Sequence, residues 1–593
     1  MRREPPVRGA PSVRGSPADA PAGGFLEIAR RWPKQTLCIL GNELCERFCY
    51  YGMRTVLTLY LMTVLMFSSD TATAVYHAFA CVAYTSPILG SIIADGYIGK
   101  YWTILSISCL YAFGQALLSF TAIFPPQTFV HPYLDLLSIF LVGLSTGGIK
   151  PCVPAFGADQ FPKNETRMIS LFFGFFYVVT NCGSLVSTFI TPIFRVQSCF
   201  DAETCFPLAF GVPAALMVVS IVVFITGTPL YIMSPPKENV IASVFYVVFV
   251  TIKKKFTSHE NVNHWLDHAM EGHNCDSDDR CQDLFLSFFQ EKLIEDVKAL
   301  FRVLVLFIPI PMFYALWEQQ GSRWIVQATK MDGEVTSWLT IYPDQVHVVN
   351  PLMIIILVPV FQMVIYPNLQ KIGACPTLLQ RIGLGGFLAA VAFIISGFVQ
   401  LKIDQTMPDT PNATHAFVSI INSFPNSSCN FTVEVDGHET RTIEANSVRK
   451  SIVFSNTRIC YTDGFYLLTA NVHVIAPENT VSILWQLPAV VVITVAEILL
   501  SVSGPEFAYQ EASKELKSVV QAVWLLNQSI GNIIILIVSF QAVELFAFGV
   551  VMALVMVGFV LLAEFYYTYR ADYMRLQQDV ISESSLSSTS LSS

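Results

Sequence analysis

The chain has 593 residues, 53% of them hydrophobic and only 13% charged, with 45 Phe and a net charge of −9. A soluble protein carries about twice that charged fraction, so the composition excludes an ordinary soluble domain. Long apolar runs, without the weak alternation of barrel strands, point instead to helices crossing a bilayer. Neither a metal cluster nor an arranged nucleophile stands out, so no enzyme is expected, and nothing suggests a nucleic-acid partner.

Residues 1–34 are basic and rich in Pro, Gly and Ala, with no apolar core. They read as a disordered cytosolic arm rather than a signal peptide. Six apolar segments follow, at 35–66, 72–96, 101–124, 132–157, 168–194 and 206–233, each near the ~20 residues that a span requires. They make 35–233 a first six-helix bundle. The linker 234–296 contains an apolar stretch, Val240 to Ile252, too short to span and running into Lys253, Lys254 and Lys255. It reads as a helix lying on the inner surface. Further spans are predicted at 297–328, 344–368, 376–402, 481–510, 516–540 and 542–568. The second bundle therefore comprises 297–402 and 481–568, and 569–593 is a serine-rich cytosolic tail. The reading is an all-α polytopic membrane protein.

Between the ninth and tenth spans lies the polar block 403–480. It holds three glycosylation sequons, at Asn412, Asn426 and Asn430. With the N-terminus inside and the Val240 segment uncounted, this block faces outside, so the parity is consistent. The Lys and Arg of the N-terminal arm and central linker give the same orientation. "NFTVEVDG" and "RICYTDGFYLLTA" read as strands, so a small β-rich extracellular domain is expected there. Cys199 with Cys205, and Cys429 with Cys460, share outside segments and can form disulfides. Sequons at Asn164 and Asn527 fall inside or within a span and are expected to stay unmodified.

The charges within the spans carry the functional signal. In "NELCERFCYYGMR", Glu43, Arg47, Tyr50, Tyr51 and Arg54 recur at steps of three or four and line one helical face, with Glu46 flanking it. Each charge at mid-bilayer costs roughly 2.5–3.5 kcal/mol on insertion scales. Such a face needs water or partners. His77, Lys150, Arg302, Glu318 and Glu497 lie in other spans. The first half offers cations (Arg47, Arg54, Lys150) and the second offers Glu497, an arrangement suited to a zwitterion. Tyr51, Tyr84, Tyr177, Asn181 and Asn350 can hydrogen-bond amides between the two ends. A histidine with its ordinary pKa near 6.5 makes His77 a candidate proton carrier. "STGGIKPC" and "AEILLSVSGPEF" place small residues and Pro beside Lys150 and Glu497. These stretches allow either helix bending or close packing.

"GNELCERFCYYGMR" resembles the E-x-x-E-R-F-x-Y-Y-G motif of proton-coupled oligopeptide transporters, within the major facilitator superfamily. "TGGIKPCVPAFGADQF", "FFYVVTNCGSLVST", "FYALWEQQGSRW" and "GPEFAYQEASKELKSVVQAVWLLNQSIGN" look like the same family, in the same order, over about 35–568. The external block points to its animal branch in solute carrier family 15. The resemblance implies a major facilitator fold of twelve helices in two bundles, importing di- and tripeptides with protons as a monomer of the plasma membrane. No cofactor beyond the transported protons is implied. By motif position, Glu43, Glu46, His77 and Glu318 would serve proton coupling, with Glu43, Glu46 and Arg47 pairing with Lys150. Arg47 and Lys150 would receive the peptide carboxylate; Glu497, with Asn181 and Asn350, would receive its amine. Tyr314 and Trp524 would shape side-chain pockets. Arg54 and Glu318 would close an outer gate, with Arg302 also serving gating. Tyr314 departs from the Trp, and Gln362 from the Asp, that relatives carry, leaving Arg302 without its usual partner. Glu318 replaces the commoner Asp. Two other readings stay open: an endosomal or lysosomal histidine and peptide exporter, and a non-transporting nutrient sensor on the same fold.

Overall fold

The computed structural model describes residues 30–126, 128–162, 165–200, 202–233, 235, 240–257, 264–270, 284–372, 377–406, 415–421, 431–435, 439–443, 448–455, 480–511, 516–538 and 544–568. Cys429, Cys460, Asn412, Asn426, Asn430, Asn164 and the segment 458–470 lie outside the described residues, as do most of the N-terminal arm and the tail after 568.

The first half comprises α1 (Gln35–Thr63), α2 (Ser69–Gly96), α3 (Lys100–Thr121), α4 (Tyr133–Ile149), its short continuation α5 (Cys152–Ala158), α6 (Thr166–Val196) and α7 (Phe206–Thr226). The linker forms α8 (Val240–Lys255), which packs on a turn at Trp265–Met270 and also touches α2. In the second half, α9 (Leu284–Leu304), α10 (Ile310–Glu318) and α11 (Arg323–Ala328) precede α12 (Val349–Val360), α13 (Tyr366–Lys371) and α14 (Leu378–Thr406). Then come α15 (Leu487–Glu497), α16 (Ser503–Glu511), α17 (Lys517–Val538) and α18 (Glu544–Leu561). Among the described residues, ten helices are long and apolar enough to cross a bilayer. An eleventh results if Leu293–Phe307 and Ile310–Ala328, bent by 52°, form one span. Pro309 and Pro311 sit at that bend, where proline removes backbone donors and crowds the preceding turn. The helix α1 is 29 residues long, but its four charges set it apart from the apolar helices.

Helix association in lipid depends on close packing more than on apolar burial, because the solvent is itself apolar. The sequence supplies small residues where the site needs helices to meet. A Cβ added at Gly90 on α2 would sit 2.2 Å from the carbonyl oxygen of Gly148 on α4, and one at Gly147 would sit 1.8 Å from Ser86 Oγ. This contact fixes the end of α4, and so Lys150, against α2. On α6, a Cβ at Gly183 would be 2.9 Å from the Leu44 carbonyl oxygen and 3.0 Å from Arg47 Cβ. That approach sets α1 against α6. Both predicted small-residue stretches are also irregular. The helix α4 ends at Ile149, just before Lys150 and Pro151, and a π-helical turn, Ile498–Val502, follows Glu497.

Two buried apolar clusters result. One, around Tyr50, Tyr60, Phe156, Phe172 and Phe210, is built almost wholly from the first half. The other, around Phe313, Phe393, Trp524, Met552 and Phe559, is built from the second half and the linker. The halves meet where α2 packs on α17 and α6 on α12. In the connection after α6, Cys199 and Cys205 form a disulfide. A hairpin of β1 (Glu334–Thr336) and β2 (Leu339–Thr340) precedes α12. In the 403–480 block, β3 (His415–Ile421) pairs antiparallel with β6 (Val448–Ser455). Between them in sequence, β4 (Phe431–Val435) pairs with β5 (Glu439–Ile443), from Phe431 opposite Ile443 to Val435 opposite Glu439.

Candidate functional site

The charged face of α1 points into the protein and meets partners along its length. Glu43, Glu46 and Arg47 are buried. Arg47 Nε lies 2.6 Å from Glu43 Oε1 and 2.8 Å from Glu46 Oε2, so one guanidinium nitrogen serves both carboxylates. Thr146 on α4 donates to Glu46 Oε1 at 2.7 Å, and Thr180 on α6 donates to Glu43 Oε1 at 3.3 Å. Each carboxylate is thus held by a neighbouring helix as well as by its own. Lys150 behaves differently from its expected pairing. Its ammonium lies 4.5 Å from the Tyr50 ring centre and 4.1 Å from that of Tyr84. No carboxylate among the described residues comes within ion-pair distance of it. Two aromatic faces therefore hold this cation, leaving its charge uncommitted beside the Arg47 cluster.

The second half supplies the opposite charge. Asn350 Nδ2 donates to Glu497 Oε2 at 2.7 Å and to Thr494 Oγ1 at 3.1 Å. Glu497 and Asn350 are only half-buried, so the carboxylate keeps an open side. Tyr51 lies within electrostatic reach of Arg47 and Arg54 on one side and of Glu497 on the other. Asn181, expected beside Glu497, instead donates to the Tyr177 carbonyl one turn back on α6, at 2.8 Å. Tyr177 itself is exposed. Tyr314 packs 6.2 Å from Trp524, which meets Phe307 edge-on at 5.3 Å. These rings form a buried aromatic wall. Arg302 is half-buried early in the bent span and does not line the cavity shared by Gln362, Tyr366, Arg381 and Glu506.

At the predicted outer end the two halves are tied together. Arg54 donates to Glu318 at 2.5 Å and to the Tyr76 hydroxyl at 2.6 Å. Its guanidinium also lies over the Tyr76 and Trp317 rings. His77 is fully buried, with Nδ1 2.7 Å from Asn532 Oδ1 and Nε2 2.8 Å from Ser322 Oγ. Thr58 donates to the Gly321 carbonyl at 2.6 Å. Beside these contacts a cavity of about 60 Å³ is lined by Tyr51, Arg54, Trp317, Gln320, His347 and Asn350, among others.

Sequence reasoning passed over three further ties. Arg195 at the end of α6 grips Asp344 with two bonds, of 2.8 and 3.0 Å. Arg323 bridges Asp70 at 2.8 Å and Glu544 at 3.2 Å. His131 and Tyr60 both bond the buried Asp135, at 2.6 Å each. Only the His131–Asp135 pair was open to inspection, through its i,i+4 spacing. The others join distant parts of the chain and leave no local pattern.

Comparison with known proteins places this arrangement. A family model described as the POT family matches residues 101–457 and 462–553. "Peptide transporter family 2" of Caenorhabditis elegans is 37% identical, over 96% of this chain and 97% of its own. "Solute carrier family 15 member 1" of Homo sapiens is 33% identical, over 90% of this chain and 93% of its own. Among solved structures, the POT family transporter PepTSo superposes with a TM-score of 0.65 at 26% identity, covering 91% of this chain and 99% of that one. The chain is a multi-pass membrane protein, and it belongs to the POT family.

Proposed function

We propose that this protein imports di- and tripeptides together with protons across the plasma membrane, by alternating access between two six-helix bundles. In this reading α1 is the twelfth span, its charges tolerated because they face the interior. The Caenorhabditis elegans relative named above is a peptide transporter, and a peptide is a zwitterion matched to the two ends of the site.

The observation that carries the proposal is the charge balance on the first half. Glu43, Glu46, Arg47 and the half-buried Lys150 bring two negative and two positive charges together, with Lys150 free of a carboxylate partner among the described residues. A peptide carboxylate arriving at Lys150 and Arg47 adds a third negative charge. An unbalanced charge is costly where water is scarce. The site regains neutrality by binding one proton on a glutamate. Peptide and proton thus enter as a pair, and neither is stable in the site alone. The amine end meets Glu497, already aligned by Asn350. Release of the Arg54–Glu318 tie opens the outer end, and its re-formation closes it.

The test is uptake of a labelled dipeptide into proteoliposomes, with and without an inward proton gradient. Accumulation only with the gradient is expected. Uptake indifferent to the gradient, or none, would overturn the proposal.

A further inference from the structure

His347 belongs to neither the Arg47 cluster nor the Glu497 site, yet it shares a cavity with Arg54. It lies on a short helical turn, Pro343–Val348, that leads into α12. Asp344, His347 and Asn350 recur at steps of three, so they share one face. Asp344 is held by Arg195, and Asn350 holds Glu497. His347 between them faces the outer cavity, beside the Gln320 backbone and within electrostatic reach of Arg54. One stripe of this helix therefore runs from an outer tie, past a histidine, to the carboxylate of the substrate site.

The surroundings decide what a proton on His347 would do. Tyr51 and Arg54 face this segment from α1 and Tyr76 from α2, and Arg195 of α6 reaches it at Asp344. The carboxylates of Asp344 and Glu318 are already paired, with Arg195 and Arg54, and Glu497 is reached only one turn further along, through the neutral Asn350. Among the described residues no carboxylate pairs with His347, and an imidazolium there stands beside the guanidinium that holds the outer end shut. In the closed arrangement a proton on His347 would set a second cation against Arg54 in one cavity. An arrangement open to outer water would solvate it.

We propose that His347 is a second proton-binding site, reached from the outer solution, whose occupancy favours the outward-open state. Acid outside then resets the carrier toward peptide capture, and closure requires His347 to lose its proton. The inference rests on the transport reading above, but its readout does not require transport.

The experiment places a cysteine at Thr58, which is fully buried in the closed arrangement. Its labelling by a membrane-impermeant maleimide is measured as the increment over the parent chain. Outer pH values of about 5.5 and about 7.5 bracket the ordinary histidine value of about 6.5. Rates are corrected for the reagent's own pH dependence with a free thiol. Coupling between sites is typically worth about fivefold or more. Labelling should therefore rise about that much at the acid pH, and His347→Gln should abolish the rise. His347→Lys, with a fixed charge, should label fast at both. The same pH response in the parent His347 form and in His347→Gln, with Lys also unchanged, would overturn the inference. Gel filtration and thermal melting verify that each variant is folded. Dipeptide uptake by the parent chain, measured in parallel, separates failure of this site from failure of the transport reading.

Discussion

Residues in this protein gain their roles from the company they keep. Glu43 and Glu46 share one nitrogen of Arg47, whereas Lys150 is held by Tyr50 and Tyr84 and keeps its charge available. Glu497 is oriented by Asn350 but remains half-open. Losing a hydrogen bond to a charged group costs about 1.5–3 kcal/mol. Glu497→Gln should therefore weaken free-amine dipeptides roughly tenfold or more in apparent affinity, and N-acetylated dipeptides far less. Equal losses for both, in competition against labelled dipeptide, would remove the amine assignment. Arg195 offers a second check. Asp344 is fully buried against it, and breaking a buried pair leaves a charge stranded at a cost of about 3–5 kcal/mol. Arg195→Ala should lower the melting temperature in detergent, and Asp344→Asn in the same chain should recover most of the loss. No change on the single substitution would show that the pair is dispensable.

Helices set where these residues meet. Small residues on α2, α4 and α6 bring backbones together beside Lys150 and Arg47. Gly90→Val would drive a side chain into the Gly148 carbonyl, so separation of α2 from α4, lower stability and loss of peptide uptake are expected. A variant that melts and transports as the parent would contradict the packing argument. Much at this scale was legible in the sequence. The spans emerge from apolar length, and both irregular stretches, at Lys150 and after Glu497, fall where Gly, Ser and Pro interrupt apolar runs. The bend near Pro309 follows from its two prolines, although the sequence was read there as one continuous span. Spacing alone revealed the Glu43–Arg47 pair. The Tyr50 and Tyr84 cage around Lys150 did not show, because the contacts come from three helices far apart in sequence. Nor did the Arg195 and Arg323 ties, whose partners lie more than a hundred residues away. The Arg54–Glu318 pair was legible only through family resemblance.

At the scale of the whole molecule, the predicted outer end is closed by bonds between the halves, while each half keeps its own apolar cluster. Two rigid groups joined by a few polar ties can rock against each other when those ties exchange partners. The charge count in the first half makes that exchange depend on a proton arriving with the peptide carboxylate. The most direct measurement is proton flux into proteoliposomes, driven by an outward-to-inward dipeptide gradient with no imposed pH difference. A dipeptide with a free carboxylate should draw protons inward, and the same dipeptide amidated at its C-terminus should draw few or none. Equal proton movement with both, or none with either while the free dipeptide still enters, would contradict the account.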